Sequence, residues 1–134
     1  MPSLSAWTIR LALLHLAAGL TIGSLMLANK GQPFAPTLWR WVPAHAEFLL
    51  IGWTAQLALA VAHWIIPRFR GGNFGRLQLA RLSIIFLNAG VLLVALTPIL
   101  SLPAVVGFAG RILEGLAALL FALYIWPRIR PQGR

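Results

Sequence analysis

Three histidines, two glutamates and Arg111 stand within otherwise apolar stretches, and they hold most of the chemistry this chain could do. His45 and His63 are eighteen residues apart. At about 3.6 residues per helical turn that is about five turns, so the two imidazoles share one face. Gly52 and Gln56, seven and eleven residues after His45, fall close to the same face. One stripe would thus carry two imidazoles, an amide and a gap with no side chain. Neutral imidazole is a ligand for metals and for haem iron. His45 therefore reads either as such a ligand or as an interfacial histidine satisfied by headgroups or by a neighbouring helix. His63, beside Trp64, reads first as interfacial. His15 could reach the depth of His63 from another segment, but helices packed about 8–10 Å apart leave little room for a porphyrin between two imidazoles. Glu47 lies two residues beyond His45 and points roughly the opposite way. Arg111 and Glu114 are three apart, the spacing of a same-face ion pair. Either they neutralise each other, or Glu114 holds Arg111 against an anionic group such as a haem propionate.

The elements that must position these groups are long and apolar. The 134 residues are 60% hydrophobic and 10% charged, against roughly 25% charged in an average soluble domain. Segments 8–28, 44–66, 79–97 and 103–126 are each long enough to cross roughly 30 Å of hydrocarbon. Gly31 and Pro33, Pro43, Pro67, Gly71 and Gly72, Pro98, Pro103 and Pro127 punctuate them. The expected fold is all-α: one domain over residues 1–134, an integral-membrane four-helix bundle. Trp7, Trp64 and Trp126 fall at one interface level, and Trp39 and Trp41 at the other. Small residues such as Ala18, Gly19, Gly23, Gly90, Gly107, Gly110 and Gly115 allow helices to approach closely in lipid. Asn88 is expected to hydrogen-bond between helices. The run Leu11 to Ala28 exceeds a usual signal-peptide core, so the first segment reads as a retained span.

The formal charge of +9 comes from eleven Lys and Arg against two acidic residues. Such a balance in a soluble protein would suggest nucleic acid. Here the basic residues sit between apolar runs with no basic stripe and interleaved aromatics outside them, so nucleic acid is not an expected partner and the lipid bilayer is. Arg68, Arg70 and Arg76, with Arg81 just inside span three, lie on the side that also carries Arg10, Arg128, Arg130 and Arg134. The opposite side holds only Lys30 and Arg40. The asymmetry predicts cytoplasmic N and C termini in a bacterial-type inner membrane. The absence of cysteine excludes disulfides, thiolate metal sites, iron–sulfur clusters and thioether-linked haem. There is no aspartate, no Ser–His–acid set and no phosphate-binding glycine loop. Enzyme activity by this chain on its own is not expected.

The stretch Arg40-Trp-Val-Pro-Ala-His45-Ala-Glu-Phe-Leu-Leu-Ile-Gly52-Trp53, followed by Ala-Gln56 and then Ala62-His63-Trp64-Ile-Ile-Pro67-Arg68, resembles a known helix. It is similar to helix II of haem-copper oxidase subunit I, nearest the nitric oxide reductase branch. Leu87-Asn88-Ala89-Gly90 in span three is weakly similar too. Only span two carries a specific motif. In that family a histidine near the outer end of helix II is an axial ligand of a low-spin haem, and His45 matches it in context. The resemblance implies one non-covalent b-type haem on His45. Gly52 would leave room for the macrocycle, and Arg40 and Arg111 stand at the right level for its propionates. The family's remaining ligands come from later helices with no counterpart here, so no binuclear centre is expected. The sixth iron position would be open, filled by a symmetry-related copy, or supplied by another subunit. A homo-oligomer is expected, because four short helices give little cover to the polar stripe. A haem-b protein for electron transfer or haem or gas sensing is one expectation. A cofactor-free accessory subunit of a larger membrane complex is the other. A small proton-coupled exporter ranks last, because the acidic residue such exporters carry in their first span is missing.

Overall fold

A computed structural model describes residues 1–66 and 76–129. Pro67, Arg68, Arg70, Gly71 and Gly72, and Arg130 and Arg134, lie outside the described residues. Helix α1 spans Ser3–Gly31. After a 3-10 turn at Pro36–Trp41, the second span runs through α2 (Val42–Glu47), a π-helical stretch (Phe48–Ala55) and α3 (Gln56–Ile65), with right-handed helical dihedrals at both joints. Helices α4 (Leu77–Leu100) and α5 (Ala104–Ile125) follow, and a 3-10 turn at Trp126–Arg128 comes after α5. No strand occurs among the described residues. Among the described residues, four helical stretches are long and apolar enough to cross a membrane. In hydrocarbon a helix is the natural answer, because it satisfies every backbone donor and acceptor within its own segment.

The ends of these elements differ in part from the expected punctuation. Pro98 does not end the third span: it sits inside the last turn of α4, which continues to Leu100. A proline costs the helix one backbone donor there, and Ser101, at φ 55° in the left-handed region, stops it. At the end of α1, the Asn29 carboxamide oxygen accepts the N–H groups of Phe34 at 2.9 Å and Ala35 at 2.8 Å, which turns the chain towards span two.

The bundle is two antiparallel hairpins. The buried positions of α1 are Ser5, Thr8, Ala12, His15, Gly19, Ile22, Met26 and Asn29. Their spacing alternates between three and four, a heptad seam, and it meets span two. Helices α4 and α5 approach still more closely. A Cβ at Gly90 would lie 2.8 Å from the Gly110 carbonyl oxygen, and one at Gly110 would lie 2.9 Å from that of Gly90. Only glycine at both positions allows such backbone contact. Ser83 Oγ donates to the Ala117 carbonyl at 2.7 Å along the same interface. Asn88, expected to bridge helices, instead donates to Ile84 in its own helix at 2.7 Å. The hairpins meet where α2 and the π-helical stretch pack on α4, around Ile22, Leu38, Ala44, Phe48, Val91 and Ala95. The outward face of α5, with Val105, Phe108, Ile112, Leu119 and Leu123 exposed, is suited to lipid.

Candidate functional site

The polar stripe of span two faces α1. His45 Nδ1 donates to the Gly19 carbonyl at 2.7 Å, and the ring lies over Gly23, where a Cβ would come within 2.5 Å of Cε1. The relation is reciprocated one level deeper. His15 on α1 places Nδ1 3.1 Å from the Gly52 carbonyl, and its ring lies over Gly52, where a Cβ would come within 2.7 Å of it. Each helix thus lays an imidazole across a glycine of the other and bonds it to a main-chain carbonyl. Further in, Gln56 Nε2 donates to the Thr8 carbonyl at 3.1 Å. Gly52 therefore does open a gap in span two, and the His15 ring fills it.

His63 faces α5 instead. Its Nδ1 is 2.5 Å from the Tyr124 hydroxyl, and the Arg128 guanidinium stacks on the Tyr124 ring at 4.0 Å, a cation–π contact. His15 and His63 thus bind different helices and are not brought together on one partner. Beside His63 a narrow crevice is lined by Leu4, Thr8, Leu59, Ala60, Ala80 and Phe121. It has no room for even a water molecule, far from the roughly 300 Å³ at which ligand pockets begin.

The second polar cluster joins span two to α5 in the half of the bundle nearer the Pro36–Trp41 turn. Arg111 bonds Glu114 Oε2 through one terminal nitrogen at 2.8 Å, the expected same-face pair. Its other terminal nitrogen bonds Glu47 Oε2 at 2.7 Å. The Glu47 side chain is 3% exposed, that of Glu114 11% and that of Arg111 53%. Arg111 is held between two carboxylates rather than one. Arg40, on the turn before span two, bonds the Ser101 hydroxyl at the end of α4.

Sequence reasoning left Glu47, Tyr124 and the two glycines beside His45, Gly19 and Gly23, out of the site. The signal for Glu47 was available. It is one of only two acidic residues in the chain and stands at membrane depth, where an unpaired charge is costly, so it required a cation from another span. Tyr124, the one tyrosine, was hidden among apolar neighbours.

The residues fit a haem in part. A carbonyl can only accept, so the Gly19 contact places the proton of neutral His45 on Nδ1 and leaves the Nε2 lone pair for a metal. Arg111 is already engaged by two carboxylates, Arg40 by Ser101, and the space at Gly52 by His15. These three do not form a haem cradle within one chain. Among the described residues no group of three or more His, Cys, Asp or Glu could hold a metal ion. No protein-family profile, curated protein or solved structure matches this chain. The resemblance in span two therefore rests on its own residues alone.

Proposed function

We propose that the chain is a small integral-membrane haem-b protein with His45 as an axial ligand through Nε2, serving electron transfer or haem or gas sensing. The observation that supports this reading is the 2.7 Å hydrogen bond from His45 Nδ1 to the Gly19 carbonyl. Metal-ligating histidines almost always donate their other ring N–H to such a group, which fixes tautomer and orientation. A bound haem would supply one-electron chemistry when both axial positions are filled, and a gas-binding position when one is open. The His45 ring is half-buried, and its Nε2 lies 3.4 Å from where a Cβ on Gly23 would stand. The second wall of that site is assigned to a second copy across a two-fold axis or to another subunit. The proposed setting is a bacterial-type inner membrane with both termini cytoplasmic, on the strength of the arginine asymmetry.

A reduced-minus-oxidised absorption spectrum of the purified protein tests the proposal. Bands of b-type haem are expected, absent in His45→Ala and retained in His63→Ala. A protein that folds but stays colourless after haem addition overturns it. In that event a cofactor-free accessory subunit is the remaining reading. The observation favouring it is that Arg111 spends its terminal nitrogens on Glu47 and Glu114, which accounts for its place in the membrane without an anionic ligand.

A further inference from the structure

Both acidic side chains of the protein are engaged at one point. Glu47 and Glu114 are the only two in the sequence, and each bonds Arg111. No acidic side chain remains for any other lysine or arginine. Four of these arginines gather where all four spans converge. There Ala80 of α4 packs with Phe121 and Tyr124 of α5, against Leu4 of α1 and Leu59 of α3. Arg81 follows Ala80, and Arg76 stands about one turn before it. Arg128 lies about one turn beyond Tyr124, and Arg10 belongs to the same end of α1 as Leu4.

Two of the guanidiniums rest on aromatic rings in place of carboxylates. Arg10 lies over Trp7 at 5.0 Å and Arg128 over Tyr124 at 4.0 Å. Stacking of this kind uses the flat face of the guanidinium. It leaves the N–H groups at the edge, a fork that matches the oxygens of a phosphate. Arg10, Arg76 and Arg81 are exposed, and among the described residues none of the four forms a salt bridge or a side-chain hydrogen bond.

What lies beneath these cations decides between a dissolved anion and a lipid. Leu14 is one turn deeper than Arg10 on α1, and Ile85 one turn deeper than Arg81 on α4. Both are strongly exposed. Each helix thus sets a free guanidinium directly above an open apolar side chain, the polarity of a phospholipid with its phosphate above its acyl chains. Trp7, Trp64 and Trp126 are strongly exposed around the same end, as suits the headgroup level. A zwitterionic headgroup would bring a cation of its own to a surface with no carboxylate to receive it. An anionic headgroup without an amine meets only complementary charge.

We propose that this end of the bundle is a binding surface for anionic phospholipid, with Arg10 and Arg81 holding lipid phosphate and Leu14 and Ile85 lying against the acyl chains. Arg76 and Arg128 add to the positive potential around them. Orientation in a membrane needs only the number of cations on each side; binding depends on where they stand. The surface is independent of haem ligation at His45.

Native mass spectrometry of the full chain released from mild detergent tests this, with phosphatidylglycerol or phosphatidylcholine added at equal concentration. Phosphatidylglycerol should stay bound where phosphatidylcholine is lost. Arg10→Gln and Arg81→Gln should each weaken its binding about fivefold, the contribution of one cation at an anionic surface. Lys30→Gln makes the same charge change at the opposite end and should leave binding unaltered. The two arginines are exposed and make no hydrogen bond, so the fold should be retained, which a melting curve in lipid-free detergent checks. Equal retention of the two lipids overturns the proposal. So does an equal loss in Lys30→Gln and the arginine variants, which would mean that net charge alone governs binding. Displacement of the lipid by excess inorganic phosphate would assign the surface to a soluble anion and overturn it as well.

Discussion

His15 and His45 each rest on a glycine, and those glycines are where a single added methyl group has the largest effect. At Gly23 it would meet the His45 ring at 2.5 Å, and the ring cannot retreat without breaking its 2.7 Å bond to Gly19. Overpacking of this kind costs typically 1–3 kcal/mol. Gly23→Ala is accordingly expected to lower the unfolding free energy in detergent by roughly 1–3 kcal/mol. Gly115→Ala is the control: nothing lies within 4 Å of its would-be Cβ, and its effect should stay within about 0.5 kcal/mol. Equal losses at the two positions would refute the clasp. At this scale the sequence was legible in direction but not in partner. The period of span two correctly puts His45, Gly52 and Gln56 on one stripe, and that stripe does face a neighbour. Periodicity says nothing about what lies across the gap. So Gly52 read as space for a ligand when it is space for His15, and Arg111 read as a propionate partner without its bond to Glu47.

The helices themselves were legible because the solvent leaves them no alternative. Hydrocarbon forces each apolar run of this length into a helix, and the expected spans match the four helices to within a few residues at most ends. Departures arise where local chemistry overrides punctuation. Pro98 is tolerated in the last turn of α4. The π-helical stretch at Phe48–Ala55 has no composition that distinguishes it from ordinary helix, although π segments often mark functional positions. The α4–α5 hairpin depends on two glycines whose backbones touch. Gly110→Val would push its side chain into the Gly90 carbonyl and Val94, and would also separate Ser83 from the Ala117 carbonyl. Cysteine crosslinking between α4 and α5 on the buried side should then fall sharply, while crosslinking between α1 and span two is retained. Loss of both pairings together would mean that the hairpins are not separate units.

For the molecule as a whole, orientation is the property that charge decides and packing does not. The proposed topology is checked by single cysteines at Gln32, Gly72 and Gln132 and a membrane-impermeant thiol reagent. Gln32 is expected to react from outside, and Gly72 and Gln132 only after the cytoplasmic face is opened. Labelling of Gly72 from outside would reverse the assignment and move His45 to the inner surface. The histidine–glycine clasps have one further consequence, for how the chain is made. Both lie between the first two spans, and every residue they use, from His15 to Gly52, emerges from the ribosome before α4 begins. The first hairpin can therefore zip shut at the translocon while the second half is still being synthesised. Glu47 is then without its cation until Arg111, some sixty residues behind it, is made. The Arg111–Glu47 pair forms only when α5 packs on span two, which gives the last helix a fixed place to stop.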